Sequence, residues 1–199
     1  ALFLLLVGAL TPQWPRRGYA CFTVFTALVS GALAVVQWNR IDDHGARTLV
    51  GGSVAFDKFA MLATIAVCVS LILTALTSED EIRAANVEGP EVFGLYMLAA
   101  VGAVVMLSAN DLILLFLGLE TLSLALYTLA ASERRSGGQE AGLKYFILGG
   151  FSSAFFLYGV ALVYGATSST NLSTINEVIR GSVRADGNDV LLLIGIGLL

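Results

Sequence analysis

Charged residues are scarce in this chain: only 13% of its 199 residues are Asp, Glu, Lys or Arg, whereas 57% are hydrophobic. A soluble domain carries about 25% charged residues, because charge coats the surface that faces water. The mean hydropathy of +0.83 points the same way. The composition therefore predicts a membrane protein.

Basic residues, histidine and cysteine are few, and each shortage excludes a class of function. The net charge is −4, and no basic stripe is present to neutralise nucleic-acid phosphates. His44 is the only histidine, and Cys21 and Cys68 lie in separate apolar runs, so nothing predicts a metal site or a disulfide. No phosphate loop, dinucleotide motif or catalytic triad occurs. We expect no bound cofactor, no metal and no covalent chemistry in this chain alone.

What the chain has instead is a series of long apolar runs. A helix needs roughly 20 apolar residues to cross a bilayer, and helices satisfy the backbone there. The runs predict seven helices, of which the first and last are incomplete: 1–10, 19–38, 56–77, 92–108, 112–131, 141–164 and from 190 onward. Apolar residues between 167 and 188 are spaced for one face of a short helix on the membrane surface. The predicted fold class is an all-α polytopic membrane protein. We also expect a fragment, because the chain begins inside an apolar run without an initiator Met.

One acidic side chain interrupts the predicted helix 112–131. Glu120 lies about ten residues from either end, hence roughly 15 Å deep. An ionised residue at the helix centre costs about 3 kcal/mol on insertion scales, so it persists where it is protonated, paired or beside a wet cavity. Ser123 and Tyr127 follow at helical offsets of three and seven, which places two hydroxyls on the same face. We interpret Glu120 as a proton-handling acid supported by these hydroxyls. The alternative is a neutral acid that hydrogen-bonds between helices.

Lys144, near the start of the predicted helix 141–164, is the second candidate. We expect it to partner Glu120, because a short loop makes their helices neighbours. A depth difference of about 9 Å would require water or a third residue between them. The alternative is an anchor at the lipid headgroups.

The other polar residues of note lie near helix ends or on helix surfaces. Asp111 is expected to cap the helix 112–131 rather than admit ions, and Asp57 and Lys58 to anchor their helix at the interface. The acidic stretch 79–91 is interpreted as a solvated loop or a docking surface.

Small residues let a neighbouring helix approach closely: Gly149, Gly150, Ser152, Ser153, Ala154 and Gly159. Arginines divide almost equally between the two sides and do not fix the orientation.

Two segments carry a family resemblance. The residues 108–124, SANDLILLFLGLETLSL, and 140–149, EAGLKYFILG, resemble the antiporter-like subunit N of the bacterial proton-pumping NADH:quinone oxidoreductase, respiratory complex I. The segments 54–60, VAFDKFA, and 157–165, LYGVALVYG, fit the same family. The resemblance covers nearly the whole chain. Its two long motifs are specific, whereas the flanking helices are not.

The resemblance implies part of an antiporter-like bundle of about fourteen helices with two inverted five-helix repeats. Residues 1–77 would form helices 1 to 3, and residues 92–199 would begin the first repeat with helices 4 to 7. The protein would be a multi-pass protein of the bacterial inner membrane. Its partners would be other membrane-arm subunits of complex I, lipid and protons. NADH, FMN, iron–sulfur clusters and quinone would bind to other subunits.

The mechanism that the resemblance implies is a buried relay. Glu120 matches the family's acid in the fifth helix, and Lys144 matches a lysine in the sixth. A further lysine in the seventh helix would follow just beyond Leu199. A unit charge at 4 Å interacts by about 4 kcal/mol at an effective dielectric constant of 20, so a movement of the acid against this lysine could switch its protonation.

Two other readings remain open from the sequence. A multi-subunit cation/proton antiporter or a membrane-bound hydrogenase shares the arrangement of acid and lysine. A non-transporting scaffold would use Glu120 only as a neutral hydrogen-bonding group.

Overall fold

The computed structural model describes residues 1, 3, 4, 6, 16–85, 89–132, 136–181 and 187–199, and the chain is mostly helical. The five long helices are α1 (Arg16–His44), α2 (Lys58–Ala85), α3 (Gly89–Leu107), α4 (Leu112–Ala131) and α5 (Ser136–Thr167). Two shorter helices follow, α6 (Leu172–Gly181) and α7 (Gly187–Leu198). Each of the five long helices is long and apolar enough to cross a membrane. The predicted class, an all-α polytopic membrane protein, is confirmed.

Most of the predicted helices have observed counterparts, with shifted ends. Helix α4 matches its prediction at both ends, and α6 confirms the short helix predicted between 167 and 188, whose place on the membrane surface stays a prediction. Helix α5 begins at Ser136, five residues before the predicted start at 141. The predicted helix 1–10 falls largely outside the described residues. The division into units 1–77 and 92–199 also stays a prediction.

The structure corrects the prediction of a solvated loop for the acidic stretch after residue 78. The backbone of α2 continues to Ala85, so residues 79–85 are helical and do not form a loop. Alanine, glutamate and arginine favour helix, and no glycine or proline interrupts the chain before Gly89. Pro90 then occupies the first turn of α3, where its missing N–H costs no hydrogen bond. The side chains of 79–85 and all of residues 86–88 lie outside the described part.

A small hairpin between α1 and α2 was not predicted. Strands β1 (Arg47–Leu49) and β2 (Val54–Phe56) pair antiparallel. Their turn holds Val50, Gly51 and Gly52 at positive φ, with values of 53°, 64° and 91°. Glycine adopts this conformation freely, whereas a β-branched valine is strained in it.

The hairpin also moves the start of the next helix. Phe56 ends β2, although it was predicted to begin a helix, and α2 begins at Lys58. Asp57 caps α2, because its Oδ1 accepts a hydrogen bond of 2.8 Å from the backbone N–H of Ala60. Asp57 was predicted only as an interface anchor.

Helix α4 lies between α3 and α5 and packs on both. Gly118 faces α3 so closely that an added Cβ would lie 2.6 Å from the backbone nitrogen of Met106. Glu120 follows two residues later, which at about 100° per residue turns it to the other side of α4. The packing therefore directs Glu120 towards α5.

Candidate functional site: the seam between α4 and α5

Helices α4 and α5 meet along an antiparallel seam that runs past Glu120. Near one end, an added Cβ on Gly142 would lie 2.6 Å from the Cβ of Ala131. Near the other end, the rings of Phe116 and Phe156 stack with their centroids 6.0 Å apart. This register brings the midpoint of α5 opposite Glu120.

Glu120 is half-buried, and its carboxylate Oε1 accepts a hydrogen bond from the hydroxyl of Ser153. The two residues are 33 positions apart, so the bond joins the two helices. Among the described residues, no other hydrogen-bond partner of this carboxylate is found. Ser153 was predicted only as a small residue that lets helices approach. Its role as a partner depends on the register, which a single sequence does not reveal.

Tyr127 lies on the same face of α4 as Glu120, as predicted. Its buried ring meets Tyr145 and Phe146 edge-on, with centroid distances of 4.7 and 5.9 Å. Its hydroxyl lies directly against Gly149 on α5, one turn or about 6 Å along the axis from Ser153. Ser123 is half-buried, and within the described part of the chain no hydrogen bond joins it to Glu120.

The structure does not bring Lys144 to Glu120. Nine residues separate Lys144 from Ser153 on α5, which is two and a half turns or about 13 Å along the axis. Lys144 therefore faces away from α4, and its side chain is 74% exposed. It forms an ion pair of 2.5 Å with Glu140 on the same helix. The two helices do pack together, as expected, but the separation exceeds the predicted 9 Å and the lysine is on the other face of α5.

Asp111 caps the start of α4. Its Oδ1 accepts a 2.9 Å hydrogen bond from the backbone N–H of Ile113. Its Oδ2 accepts a 2.7 Å hydrogen bond from the hydroxyl of Thr170. The expected capping geometry is thus observed, and the second bond attaches the start of α4 to the segment that precedes α6.

Asn110 joins three parts of the chain and was not predicted to do so. Its side-chain amide donates to the carbonyl oxygen of Gly52 at 2.8 Å, and its backbone N–H donates to that of Ser53 at 2.7 Å. Its own carbonyl oxygen accepts from the backbone N–H of Leu172 at 2.9 Å. These bonds tie the turn between α3 and α4 to the hairpin and to α6. They hold the end of α4 that lies eight residues before Glu120.

The seam has the chemistry to hold and pass a proton. A carboxyl group, a serine hydroxyl and a phenol can each accept a hydrogen bond, and the two hydroxyls can also donate one. Within the described ranges, no three His, Cys, Asp or Glu side chains converge as metal ligands would.

The sequence relationships agree with this geometry. Residues 109–199, which contain the whole α4–α5 seam, match the family model described as NADH:quinone oxidoreductase/Mrp antiporter, transmembrane. Over 188 residues the chain is 39% identical to NADH-quinone oxidoreductase subunit N of Gemmatimonas aurantiaca, an alignment that covers 89% of this chain. The chain belongs to the subunit N family. It spans 35% of the length of that relative. With five candidate membrane spans, this member of the family is a multi-pass protein of the bacterial inner membrane.

Solved structures share the fold. The chain is similar to a chain of respiratory complex I from Thermus thermophilus with a TM-score of 0.74 and 30% identity, covering 98% of this chain and 41% of that one. It is also similar to a chain of an archaeal membrane-bound sulfane sulfur reductase, with a TM-score of 0.81, 24% identity and coverage of 99% and 40%. The second likeness shows a common fold alone. Like its relatives of the subunit N family, the chain has the antiporter-like membrane architecture.

Proposed function

We propose that this chain is part of a proton-translocating subunit of a respiratory NADH:quinone oxidoreductase, and that Glu120 is its proton-handling acid. The observation that carries the proposal is the hydrogen bond from Ser153 to Glu120 across the α4–α5 seam. A hydroxyl donates to an ionised carboxylate and can accept from a protonated one. The pair can therefore stay joined when the acid gains or loses a proton.

The depth of Glu120 supports this role. It lies eight residues from the first residue of α4 and eleven from the last, hence about 12 and 16 Å from the ends. A permanently charged, unpaired acid at that depth costs about 3 kcal/mol on insertion scales. A carboxyl group that can exchange its proton, and that is hydrogen-bonded to a hydroxyl, avoids part of this cost. When it is protonated it carries no charge, and when it is ionised the hydroxyl donates a hydrogen bond to it.

The hydroxyl of Tyr127 continues the series of polar groups along the seam beyond Glu120 and Ser153. Its hydroxyl lies about one helical turn from Ser153, or about 6 Å. Two hydrogen bonds of about 2.8 Å placed end to end cover that gap, so one water molecule could bridge the two hydroxyls. We propose the order Glu120, Ser153, water and Tyr127 for proton movement along the seam.

In the proposed relay, Lys144 is a separate charge on the face of α5 that points away from α4. At about 14 Å and an effective dielectric constant of 20, two unit charges interact by about 1 kcal/mol. That interaction biases protonation but is too weak to switch it. Lys144 therefore needs another group to pass a proton on to the seam.

A lysine on the continuation of α7 would interact with Glu120 more strongly than Lys144 does. An added Cβ on Gly159 of α5 would lie 2.8 Å from the carbonyl oxygen of Gly195 on α7. Because the two helices are antiparallel, the residue level with Ser153 lies about six positions after Gly195. The resemblance implies a lysine just past Leu199, close to that level. A partner there is the one we propose for Glu120.

At the level of the assembly, we propose a subunit without redox groups of its own. NADH, FMN, iron–sulfur clusters and quinone would belong to other subunits, and the partners would be other membrane-arm subunits. The relative's name, NADH-quinone oxidoreductase subunit N, supports membership of such a complex. Quinone reduction would act on Glu120 through a change of charge along the membrane arm.

The experiment compares Glu120→Gln with the control Glu177→Gln in the full-length protein within its intact complex. Glu177 is an exposed acid on α6. In membrane vesicles, we expect Glu120→Gln to lose most of the NADH-driven proton pumping while assembly stays normal. The control should pump like the wild type. Unchanged pumping in Glu120→Gln would assign the acid a structural role and reject the proposal.

A cation/proton antiporter subunit is the second candidate, because the matching family model also covers Mrp antiporters. The same vesicles distinguish the two functions. Proton movement that follows NADH addition supports the oxidoreductase. Proton movement driven only by an imposed sodium gradient supports the antiporter.

A further inference from the structure

Two adjacent glycines, Gly149 and Gly150, lie in the middle of α5, and only the first is in contact with another side chain. An added Cβ on Gly150 would have no atom within 4 Å. An added Cβ on Gly149 would overlap the hydroxyl oxygen of Tyr127 and lie 3.0 Å from the Cε1 of its ring. Because position 149 has no side chain, the Tyr127 hydroxyl can enter the space beside α5, which we call the Gly149 niche.

The ring of Tyr127 is held in place on its other sides. It meets Tyr145 and Phe146 edge-on, with centroid distances of 4.7 and 5.9 Å. The residue is only 8% exposed. A packed ring cannot rotate away from a new neighbour without moving the side chains around it. A larger residue at position 149 would therefore displace the Tyr127 hydroxyl from its place in the seam.

The Gly149 niche sets the level of this hydroxyl along the seam. Tyr127 follows Glu120 by seven residues, or about 10 Å along α4. Side chains of a helix lean towards its N-terminus, so the long side chain of Tyr127 reaches back towards Glu120. Entry into the niche brings the hydroxyl level with Gly149, which is four residues or about 6 Å from Ser153 along α5. One water molecule covers a gap of this length.

The hydroxyl of Tyr127 has no hydrogen-bond partner among the residues that the structure describes. Buried tyrosine hydroxyls usually find a partner, and a water molecule serves where no protein group is within reach. Inside a helix, the backbone N–H of a residue is bonded to the preceding turn. Gly149 therefore supplies space and no donor, and the hydroxyl remains available for water.

The following inference rests on the function proposed above. We propose that Gly149 is a positioning residue for proton movement along the α4–α5 seam, and that it acts through Tyr127. The Gly149 niche holds the phenol at the level from which a single water molecule reaches Ser153. Any side chain at position 149 would move the hydroxyl and break this bridge. The role goes beyond that of a small residue that lets two helices approach, because the group in the niche belongs to the proposed relay.

The test compares Gly149→Ala with Gly150→Ala in the full-length protein within its intact complex. Both changes add one methyl group to the same turn of α5 and gain the same helix propensity. In membrane vesicles, we expect Gly149→Ala to slow NADH-driven proton pumping roughly tenfold, the upper end of what the loss of one hydrogen bond causes. Gly150→Ala should pump like the wild type. Equal pumping by the two variants would overturn the proposal.

A double-mutant cycle separates positioning from a purely structural role. Tyr127→Phe removes the hydroxyl and should also slow pumping roughly tenfold. If Gly149 acts through that hydroxyl, Tyr127→Phe/Gly149→Ala should again be roughly tenfold slower, whereas two independent losses would multiply to roughly a hundredfold. A loss that multiplies in this way, or normal pumping by Tyr127→Phe, would contradict the positioning role.

Two further variants keep the outcomes distinct. Normal pumping by Glu120→Gln would reject the proposed function and, with it, the relay that Gly149 serves. Loss of pumping in Glu120→Gln together with normal pumping in Gly149→Ala would reject the positioning role alone. If Gly149→Ala does not assemble, Tyr127→Leu/Gly149→Ala decides, because a leucine is too short to enter the niche. Restored assembly would support the niche, and assembly that is still lost would overturn it.

Discussion

Gly118 permits the close approach of α3 and α4, and its replacement by alanine gives a sharp test of the packing. The added Cβ would lie 2.6 Å from the nitrogen and 2.8 Å from the Cα of Met106, and 2.9 Å from the carbonyl oxygen of Gly102. All three are backbone atoms, so none can rotate out of the way. Non-bonded carbon contacts are relaxed near 3.5 Å, and the two helices must therefore separate by roughly 1 Å.

The expected cost of Gly118→Ala is about 1 to 3 kcal/mol, as for other overpacked sites. The matched control is Gly150→Ala on α5, where an added Cβ meets no atom within 4 Å. Both changes gain the same helix propensity, so the difference between them isolates the steric term. The assay is denaturant unfolding of the full-length protein in mixed micelles. Equal stability of the two variants would refute the close approach of α3 and α4.

Three further predictions follow from individual contacts. Ser153→Ala removes the described partner of Glu120 and should slow NADH-driven pumping, whereas Ser153→Thr should restore it; equal rates would contradict the role of the hydroxyl. Asp111→Ala removes the cap of α4 and should lower the free energy of unfolding by about 1 to 2 kcal/mol; no loss in denaturant unfolding would argue against the cap. Val50→Gly relieves a positive φ and should raise thermal stability by up to about 1 kcal/mol, whereas a lower melting temperature would argue against strain in the turn.

Much of the fold follows from the length of the apolar runs. Helix α4 could be predicted at both ends, because Asn110 and Asp111 interrupt the apolar sequence just before it and a polar stretch follows Ala131. Glu120 stands out for the same reason, as the one acid in the middle of that run. The hairpin could not be predicted from such runs, since its strands have three residues each and its turn depends on local backbone geometry.

The partner of Glu120 could not be predicted, because it depends on which face of α5 meets α4. Helix α5 is apolar around most of its circumference, so the sequence marks no single face for packing. From the sequence, Lys144 was expected about 9 Å from Glu120 in depth, and Ser153 was predicted only as a small residue that lets helices approach. The contacts of Ala131 with Gly142 and of Tyr127 with Gly149 fix the rotation of α5, which turns Ser153 inward and the lysine outward.

Infrared difference spectroscopy of the working complex tests most directly whether Glu120 changes its protonation. The measurement compares the intact complex before and after reduction by NADH, in the wild type and in Glu120→Gln. We expect a protonated-carboxyl band that changes on reduction in the wild type and is missing in the variant. A wild-type spectrum without such a band, or a band that persists unchanged in Glu120→Gln, would contradict the proposal that this acid carries a proton.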